Sequence, residues 1–118
     1  MAQPLLAASL LTFLKLLRPR WQRRRVNGRS MHPTLAEGDT VLVDTAVYHH
    51  THPQVGHIVL AQHPFEPENK LIKRITAVTA DGRYFLQGDN PDSLASTDSR
   101  SFGPLRPSQI LGQITHRF

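Results

Sequence analysis

Ser30 and Lys73 are the residues whose types and surroundings could do covalent chemistry. Ser30 lies in the stretch "GRSMHPTLAEGDTVLVD", where a turn leads directly into an apolar strand. A serine hydroxyl is a weak nucleophile until a base accepts its proton, and a lysine kept neutral by burial is one such base. In "KLIKRITAV", strand periodicity puts Lys73 on the same face as Leu71 and Ile75. Such a lysine is either a base or an edge residue whose amine reaches solvent, and the pattern leaves both interpretations open.

Other chemistries find less support in the composition. The chain has no cysteine, which excludes thiolate catalysis, structural disulfides and cysteine-based zinc sites. Seven histidines are present, yet none lies in a context that identifies it as the base of a catalytic triad. The run "YHHTHP" holds His49, His50 and His52 without a carboxylate or cysteine at ligand spacing, so we interpret it as a surface loop. We expect no metal and no cofactor.

The elements that must position Ser30 and Lys73 are strands. Short β-branched runs separated by turn residues predict strands near residues 39–44, 57–62, 70–79, 83–87 and 110–118. The pair Asp81 and Gly82 between two of these runs predicts a hairpin. No helical pattern is convincing after residue 30. The body is therefore predicted to be mostly β, with a long loop over "GDNPDSLASTDSRSFGP" that we expect to serve function.

The amino-terminal part differs in charge from the rest of the chain. A length of 118 residues allows one domain with its own core and is too short for two. Residues 1–29 hold seven Lys or Arg and no acid, whereas seven basic and nine acidic residues follow them. We therefore divide the chain into a basic, amphipathic tail over residues 1–25 and one folded domain over residues 26–118.

The tail is predicted to begin with a short amphipathic helix. Its apolar residues run from Leu5 to Leu17, and Ser9, Thr12 and Lys15 recur at three-residue spacing, which is typical of a helix lying on a surface. The segment is shorter than the ~20 apolar residues that a spanning helix needs. The arginine-rich run "RPRWQRRR" that follows predicts contact of residues 5–25 with an anionic membrane surface. Docking of the helix on the protein's own body or on a partner is the alternative.

Four stretches together resemble a known family. "GRSMHPTLAEGD", "VGHIVLAQHP", "KLIKRITAV" and "GDNPDSLASTDSRSFGPL" occur in the order of four sequence boxes of the type I signal peptidase family. Members of that family are serine endopeptidases with a serine and lysine dyad. The resemblance implies that Ser30 is the nucleophile and Lys73 the general base; Lys70 does not match, because the family's base directly precedes an arginine. It also implies the mostly β, coiled-sheet architecture of signal peptidases.

The resemblance extends to residues around the dyad. Ser96 matches a serine whose hydroxyl orients the lysine amine, with Ser93 as a competitor, and Asp98 and Arg100 match positions that pair to hold their loop near the dyad. Asp89 and Asn90 are expected to brace that loop. Residues 31–33 resemble those that shape the substrate groove, namely Met31, His32 and Pro33. Pro33 favours an extended backbone at His32, and we expect that segment to pair with a substrate strand.

Departures from the family pattern narrow the expected function. Gly28 stands where many bacterial members have a serine that donates to the oxyanion, and His57 replaces a common Asp. Small relatives with an ending similar to "STDSRSFGP" include mitochondrial inner-membrane peptidases and the maturation proteases of nickel-type superoxide dismutase. The second group fits better, because its members are short and resemble this chain; they remove an amino-terminal propeptide from a cytoplasmic precursor. The alternatives are a type I signal peptidase that cleaves exported preproteins, and a catalytically inactive binding module of the same fold.

The arginine-rich run bears on location and partners. Retention of positive charge on the inner side of a membrane predicts a cytoplasmic body, attached to the inner face of the membrane. Phosphate binding by "RPRWQRRR" is a weaker hypothesis, because the slightly acidic body does not continue the basic surface, so we do not expect nucleic acid as a partner. The expected partner is a protein precursor that carries a propeptide or signal sequence.

Overall fold

The computed structural model of the chain describes residues 19–92 and 97–118, and these form one antiparallel sheet. Within the described residues the sheet has six strands in the order β1-β2-β6-β3-β4-β5. Their bounds are β1 Trp21–Arg25, β2 Thr40–Asp44, β3 Ile58–Gln62, β4 Lys70–Val78, β5 Tyr84–Gln87 and β6 Ile110–Arg117. The five strands predicted from the sequence are confirmed to within a residue or so at each end. The expectation of a mostly β domain is likewise confirmed.

Irregularities in three strand pairs bend the sheet. The register shifts between Leu42 and Val43 where β2 pairs with β6, and between Leu60 and Ala61 where β3 pairs with β6. A third shift lies in β4 opposite β5. An extra residue on one strand increases the local twist and bends the strand. The sheet curls far enough that β1, at one edge, and the first half of β4 line the same groove.

Strand β1 was not predicted. Trp21–Arg25 pairs along its whole length with β2, so residues 21–25 of the predicted tail belong to the sheet. The run "WQRRR" lacks the β-branched residues that mark a strand, but its burial alternates, with Gln22 and Arg24 half-buried and their neighbours exposed. Arginine stems can cover apolar surface while their charged ends reach water, and charge protects an edge strand from pairing with other chains. The predicted helix over residues 5–17 lies outside the described residues.

Two clusters of buried side chains hold the sheet. The larger packs β3, β4, β5 and β6 together and consists of Val59, Ala61, Ile75, Tyr84, Leu86, Leu105 and Ile110. The smaller lies beside the Ser30 turn and consists of Val26, Met31, Leu35 and Val41. The Ser30 turn is thereby attached to the core through the side chain of the next residue.

The hairpin and one short helix complete the description. The Asp81 and Gly82 hairpin is confirmed between β4 and β5, where Thr79 N–H donates to the Arg83 carbonyl and Gly82 has a φ of 82°. A one-turn helix, α1, spans Ser99–Phe102. Single 3-10 turns lie at Val47–His49 and Pro107–Gln109. Asp98 is the N-cap of helix α1, and its carboxylate also accepts a hydrogen bond from Gly88 N–H in the loop after β5.

Candidate functional site

The Ser30 turn is a tight, internally bonded segment. Gly28 precedes it with a φ of 79°, a conformation that glycine adopts without strain. His32 N–H donates to the Arg29 carbonyl at 3.1 Å, and Leu35 N–H donates to the Met31 carbonyl at 3.0 Å. Met31 is buried in the smaller core cluster. These constraints hold the half-buried Ser30 at the surface of a groove.

The loop after β5 fastens this turn from the other side. Asn90 N–H donates to the Ser30 carbonyl at 2.9 Å, and Asn90 Nδ2 donates to the Arg29 carbonyl at 2.9 Å. Gly88 packs so closely that a Cβ atom there would lie 2.5 Å from the Ser30 carbonyl oxygen. The two chain segments are therefore in direct backbone contact at the residue that we expect to react.

Asp89, between these two residues, forms a second clamp. Its carboxylate accepts from Thr34 Oγ1 at 2.6 Å and from Nε and a terminal nitrogen of Arg74, each at 2.8 Å. The hydrogen bonds from Arg74 are the main reason that the pKa of Asp89 is lowered. The clamp joins β4 to the Ser30 turn, in agreement with the expected bracing role of Asp89 and Asn90.

Asp98 and Arg100 form the ion pair that the family resemblance implies. The Asp98 carboxylate is fully buried, accepts from Arg100 Nε and a terminal nitrogen, and caps α1 through Arg100 N–H. It also accepts from Gly88 N–H at 3.1 Å. Because Gly88 contacts Ser30, the buried carboxylate holds the loop that in turn holds the Ser30 turn. Arg100 is exposed and screens the buried negative charge at 2.8 Å.

Lys73 is buried in the middle of β4. Its relative exposure is 5%, it stands opposite Val59 of β3, and it lines the groove. Burial lowers the pKa of the Lys73 amine, because removal from water disfavours the ammonium form. The Asp98 carboxylate opposes this shift and the Arg100 guanidinium adds to it. In the described part of the chain, Lys73 forms no salt bridge with an acid.

Ser30 and Lys73 line one groove with a volume of about 470 Å³. Its walls are residues 24–31 on one side and residues 68–73 on the other, with Leu60 and Thr97. No direct hydrogen bond joins the Ser30 hydroxyl to the Lys73 amine within residues 19–92 and 97–118. Catalytic hydrogen bonds are often long in the absence of substrate and shorten when it binds.

The first half of β4 presents open backbone groups to this groove. His63 N–H bonds to the Asn69 carbonyl and Ile75 N–H to the His57 carbonyl. Bonded and non-bonded pairs alternate in an antiparallel ladder, so Lys70 and Ile72 direct their backbone groups away from β3. Strand β5 pairs with β4 only from Arg74 onward. The N–H and C=O groups of Lys70 and Ile72 thus face the groove without a strand partner among the described residues.

The residues expected to shape the groove are only partly found there. Met31 lines the groove, whereas His32 and Pro33 are exposed and do not. The expectation that this segment is extended is wrong. Residues 30–34 form a turn around a cis His32–Pro33 bond, in which the His32 N–H is already bonded within the chain. Extended backbone at the groove is provided by the end of β1 and the open edge of β4.

The remaining sequence candidates have separate outcomes. Ser96 and its competitor Ser93 lie outside the described residues. His49 ends a 3-10 turn, and His49, His50 and His52 are all exposed. The described residues contain no cluster of three or more metal-ligating side chains. His57 is hydrogen-bonded through Nδ1 to the Tyr48 hydroxyl at 2.8 Å, away from the groove. Burial raises the pKa of that Tyr48 hydroxyl.

Sequence comparison decides the family. Residues 2–82 match the family described as "Signal peptidase, peptidase S26". The chain belongs to this family. Its mostly β fold is therefore that of the S26 family.

Individual relatives agree with this assignment. The chain is 32% identical to mitochondrial inner membrane protease subunit 1 of Xenopus tropicalis, over 77% of this chain and 65% of the relative. It is 33% identical to mitochondrial ATP-independent inner membrane protease subunit 1a of Arabidopsis thaliana, over 75% and 64%. A probable signal peptidase I-1 of Synechocystis is 27% identical over 98% of this chain and 80% of the relative. The chain spans slightly under two thirds of the length of the mitochondrial relatives.

The relatives include membrane proteases, but the described residues contain no helix of the length and apolarity needed to cross a bilayer.

Gly88 and Arg74 are parts of the site that were not predicted from the sequence. Gly88 was noted only as a member of "GDN", and a glycine directly before two turn-forming residues was the available signal. Arg74 was used only to choose between Lys73 and Lys70.

Proposed function

We propose that this S26-type peptidase is a serine endopeptidase in which Ser30 is the nucleophile and Lys73 the general base. The observation that carries the proposal is a buried lysine with a lowered pKa, without an acidic partner in the described residues, on the same groove as Ser30. An inactive module would be expected to hold this lysine in a salt bridge or in solvent. Both features of Lys73 favour the active peptidase over that alternative.

The proposed reaction follows from which group holds the transferred proton at each step. Neutral Lys73 accepts the Ser30 hydroxyl proton as Oγ attacks the scissile carbonyl, and the resulting ammonium returns the proton to the leaving amine. Water then attacks the acyl ester with Lys73 as base again, which releases the new carboxyl end and restores Ser30. The lowered pKa of Lys73 matters because only the neutral amine can begin the cycle.

The oxyanion of the tetrahedral intermediate needs hydrogen-bond donors. We assign one donor to the Ser30 backbone N–H, which lies at the nucleophile itself. A serine hydroxyl at position 28 is absent, and loss of a donor of that kind can cost ~3 kcal/mol of transition-state stabilisation. Gly28 has a φ of 79°, so a serine would strain this turn. The turn is therefore built around glycine, and the missing donor has to come from another group.

The substrate is expected to bind as an added strand. The open N–H and C=O groups of Lys70 and Ile72 provide one ladder, and residues 25–27 at the end of β1 form the opposite wall. An extended peptide bonded to a sheet edge gains affinity from its backbone and specificity from alternate side chains. Substrate pairing along β4 replaces the pairing along residues 31–33 that the sequence suggested.

The precursor is proposed to carry an amino-terminal segment that the enzyme removes. The "STDSRSFGP" resemblance favours the propeptide of a nickel superoxide dismutase precursor. The relatives named as inner membrane proteases and as a signal peptidase favour the alternative, cleavage of exported preproteins. Attachment to a membrane surface agrees with both. A cytoplasmic location rests on the arginine cluster, of which Arg23, Arg24 and Arg25 belong to β1.

The test is co-expression of the full chain with each class of precursor, with cleavage measured by intact mass. The variants are Ser30→Ala and Lys73→Ala, and Ser108→Ala serves as a matched control because Ser108 is exposed on a 3-10 turn away from the groove. We expect the wild type and the control to cleave and both dyad variants to lose cleavage while remaining folded. Cleavage of a preprotein alone would reject the nickel assignment, and cleavage by Lys73→Ala at the wild-type rate would reject the dyad.

A further inference from the structure

The groove is lined by cationic side chains that form no ion pair with an acid among the described residues. Arg24, Arg25, Arg29 and Lys70 line it, and Glu68 is the one acidic residue among the described lining residues. None of these four cations forms an ion pair within the described ranges. Lys73 is excluded from this set because its buried amine is the proposed neutral base. A substrate in the groove therefore meets an excess of positive charge.

Four arginines elsewhere in the described residues are compensated by aspartates, whereas Arg23, Arg106 and Arg117 form no such pair there. Arg20, Arg74, Arg83 and Arg100 are each paired with an aspartate at 2.8–3.3 Å. The cations at the groove keep their charge free for a ligand, although Lys70 Nζ also donates to the Pro67 carbonyl at 2.6 Å. Because like charges in one groove repel each other, their free energy falls when an anion binds among them.

Arg24 and Arg29 are the best placed of the four. Arg24 stands opposite Val41 in the β1–β2 ladder, so its half-buried side chain is on the core face of the sheet and extends into the groove wall. Arg29 directly precedes Ser30, and its carbonyl is fixed by Asn90 Nδ2. Arg24 is half-buried and Arg29 is exposed. A partly desolvated guanidinium, such as that of Arg24, attracts a carboxylate more strongly than one in open water.

We propose that this groove selects peptides with aspartate or glutamate close to the scissile bond, and that Arg24 and Arg29 determine this preference. The inference rests on the proposed peptidase function and adds a substrate class to it. A peptide is favoured over a lipid surface because the cations line a concavity beside Ser30 and the open edge of β4, where a strand can enter.

The first test measures binding without cleavage, in full-length Ser30→Ala protein. The probes are two fluorescein-labelled decapeptides of alanine, serine and valine, one with two aspartates and the other with asparagines at the same positions. Fluorescence anisotropy should show that the aspartate peptide binds about fivefold more tightly at low salt, because ion pairs at exposed to half-buried positions contribute about this much. The preference should decrease at high ionic strength, because salt screens such pairs.

Arg24→Gln and Arg29→Gln should each reduce the preference, and the double variant should abolish it. Arg23→Gln is the matched control: it lies on the same strand and removes the same charge, but its side chain is on the opposite face, over the Phe118 ring at 5.7 Å. Thermal melting of every variant separates a lost preference from a lost fold. An equal effect of Arg23→Gln would attribute the preference to overall charge and overturn the proposal.

The second test uses the active protein and compares kcat/KM for the same two peptide designs. Equal cleavage of both, or equal or undetectable binding of both, would overturn the substrate preference while leaving the peptidase proposal to its own test. Selective binding without any cleavage would sustain the preference and count against the peptidase. If Arg24→Gln weakens binding to vesicles of one part phosphatidylglycerol and three parts phosphatidylcholine but keeps the peptide preference, the cations serve a lipid surface and the proposal fails.

Discussion

Gly88→Ala should damage the site more than it damages the fold. A Cβ atom at residue 88 would lie 2.5 Å from the Ser30 carbonyl oxygen and 3.2 Å from Ser30 Cβ. Ordinary contacts begin at 3.4 Å, so the loop and the Ser30 turn must separate by about 0.9 Å. The atoms that the new Cβ would meet are the backbone carbonyl and the Cβ atom of Ser30. These atoms cannot move aside as the end of a flexible side chain could.

The expected effect on activity is large. A displacement of about 1 Å at a reacting group can cost on the order of 100-fold in rate. The separation also stretches the 2.9 Å hydrogen bond from Asn90 N–H to the Ser30 carbonyl. Overpacking of this kind costs about 1–3 kcal/mol of unfolding free energy. We therefore expect kcat/KM to fall by about two orders of magnitude while the protein still folds.

Gly112→Ala is the control for this experiment. A Cβ atom there would meet the Asp44 carbonyl oxygen at 2.7 Å and Val43 Cγ1 at 2.8 Å, a comparable clash against β2 that involves no Ser30 atom. It should lower thermal stability by a similar amount and leave kcat/KM of the folded protein nearly unchanged. If Gly88→Ala keeps wild-type kcat/KM, or if both variants lose activity equally, the contact between Gly88 and Ser30 does not position the nucleophile.

Two further predictions concern the charge of Lys73. The value of kcat/KM should rise with pH as the Lys73 amine loses its proton, with an apparent pKa below the ordinary 10.5. Arg100→Gln should move this pH profile to higher pH, because the Arg100 guanidinium lowers the pKa of Lys73. A pH profile that Arg100→Gln leaves unmoved would contradict this. Between the lowered folded pKa and 10.5, the unfolded chain binds more protons, so the unfolding free energy should increase with pH in that window. Lys73→Met should remove this pH dependence and be as stable as the wild type at neutral pH, as measured by urea unfolding. A loss of more than about 1 kcal/mol there would show that the amine contributes stabilising contacts.

The local sequence pattern was sufficient to predict most strands of the sheet. Alternating apolar and polar residues in β2, β3, β4, β5 and β6 report directly on which face is buried, because the side-chain period of a strand is two residues. The same alternation placed Lys73 with Ile75 on one face, and both are buried. The hairpin at Asp81 and Gly82 was equally local, since it depends on two adjacent residues with special backbone conformations.

The segments that were not predicted correctly have conformations that depend on residues distant in sequence. Strand β1 has a weak local pattern and exists because β2 supplies its hydrogen-bond partners, so "WQRRR" resembled a tail. Residues 31–33 were expected to be extended because Pro33 restricts His32. The turn instead depends on Met31 entering the core and on Asn90 holding the Ser30 carbonyl from 60 residues away.

The sequence by itself determined the class of fold, the family, and Ser30 and Lys73 as candidates, because these depend on residue types in a linear order. The tertiary structure alone decided how Lys73 is buried, how Gly88 and Asp89 fasten the Ser30 turn, and which cations line the groove. The pKa of an amine and the charge of a groove depend on groups that the chain brings together only when the sheet curls. Such properties arise from distances in space, which a linear pattern of residues does not contain.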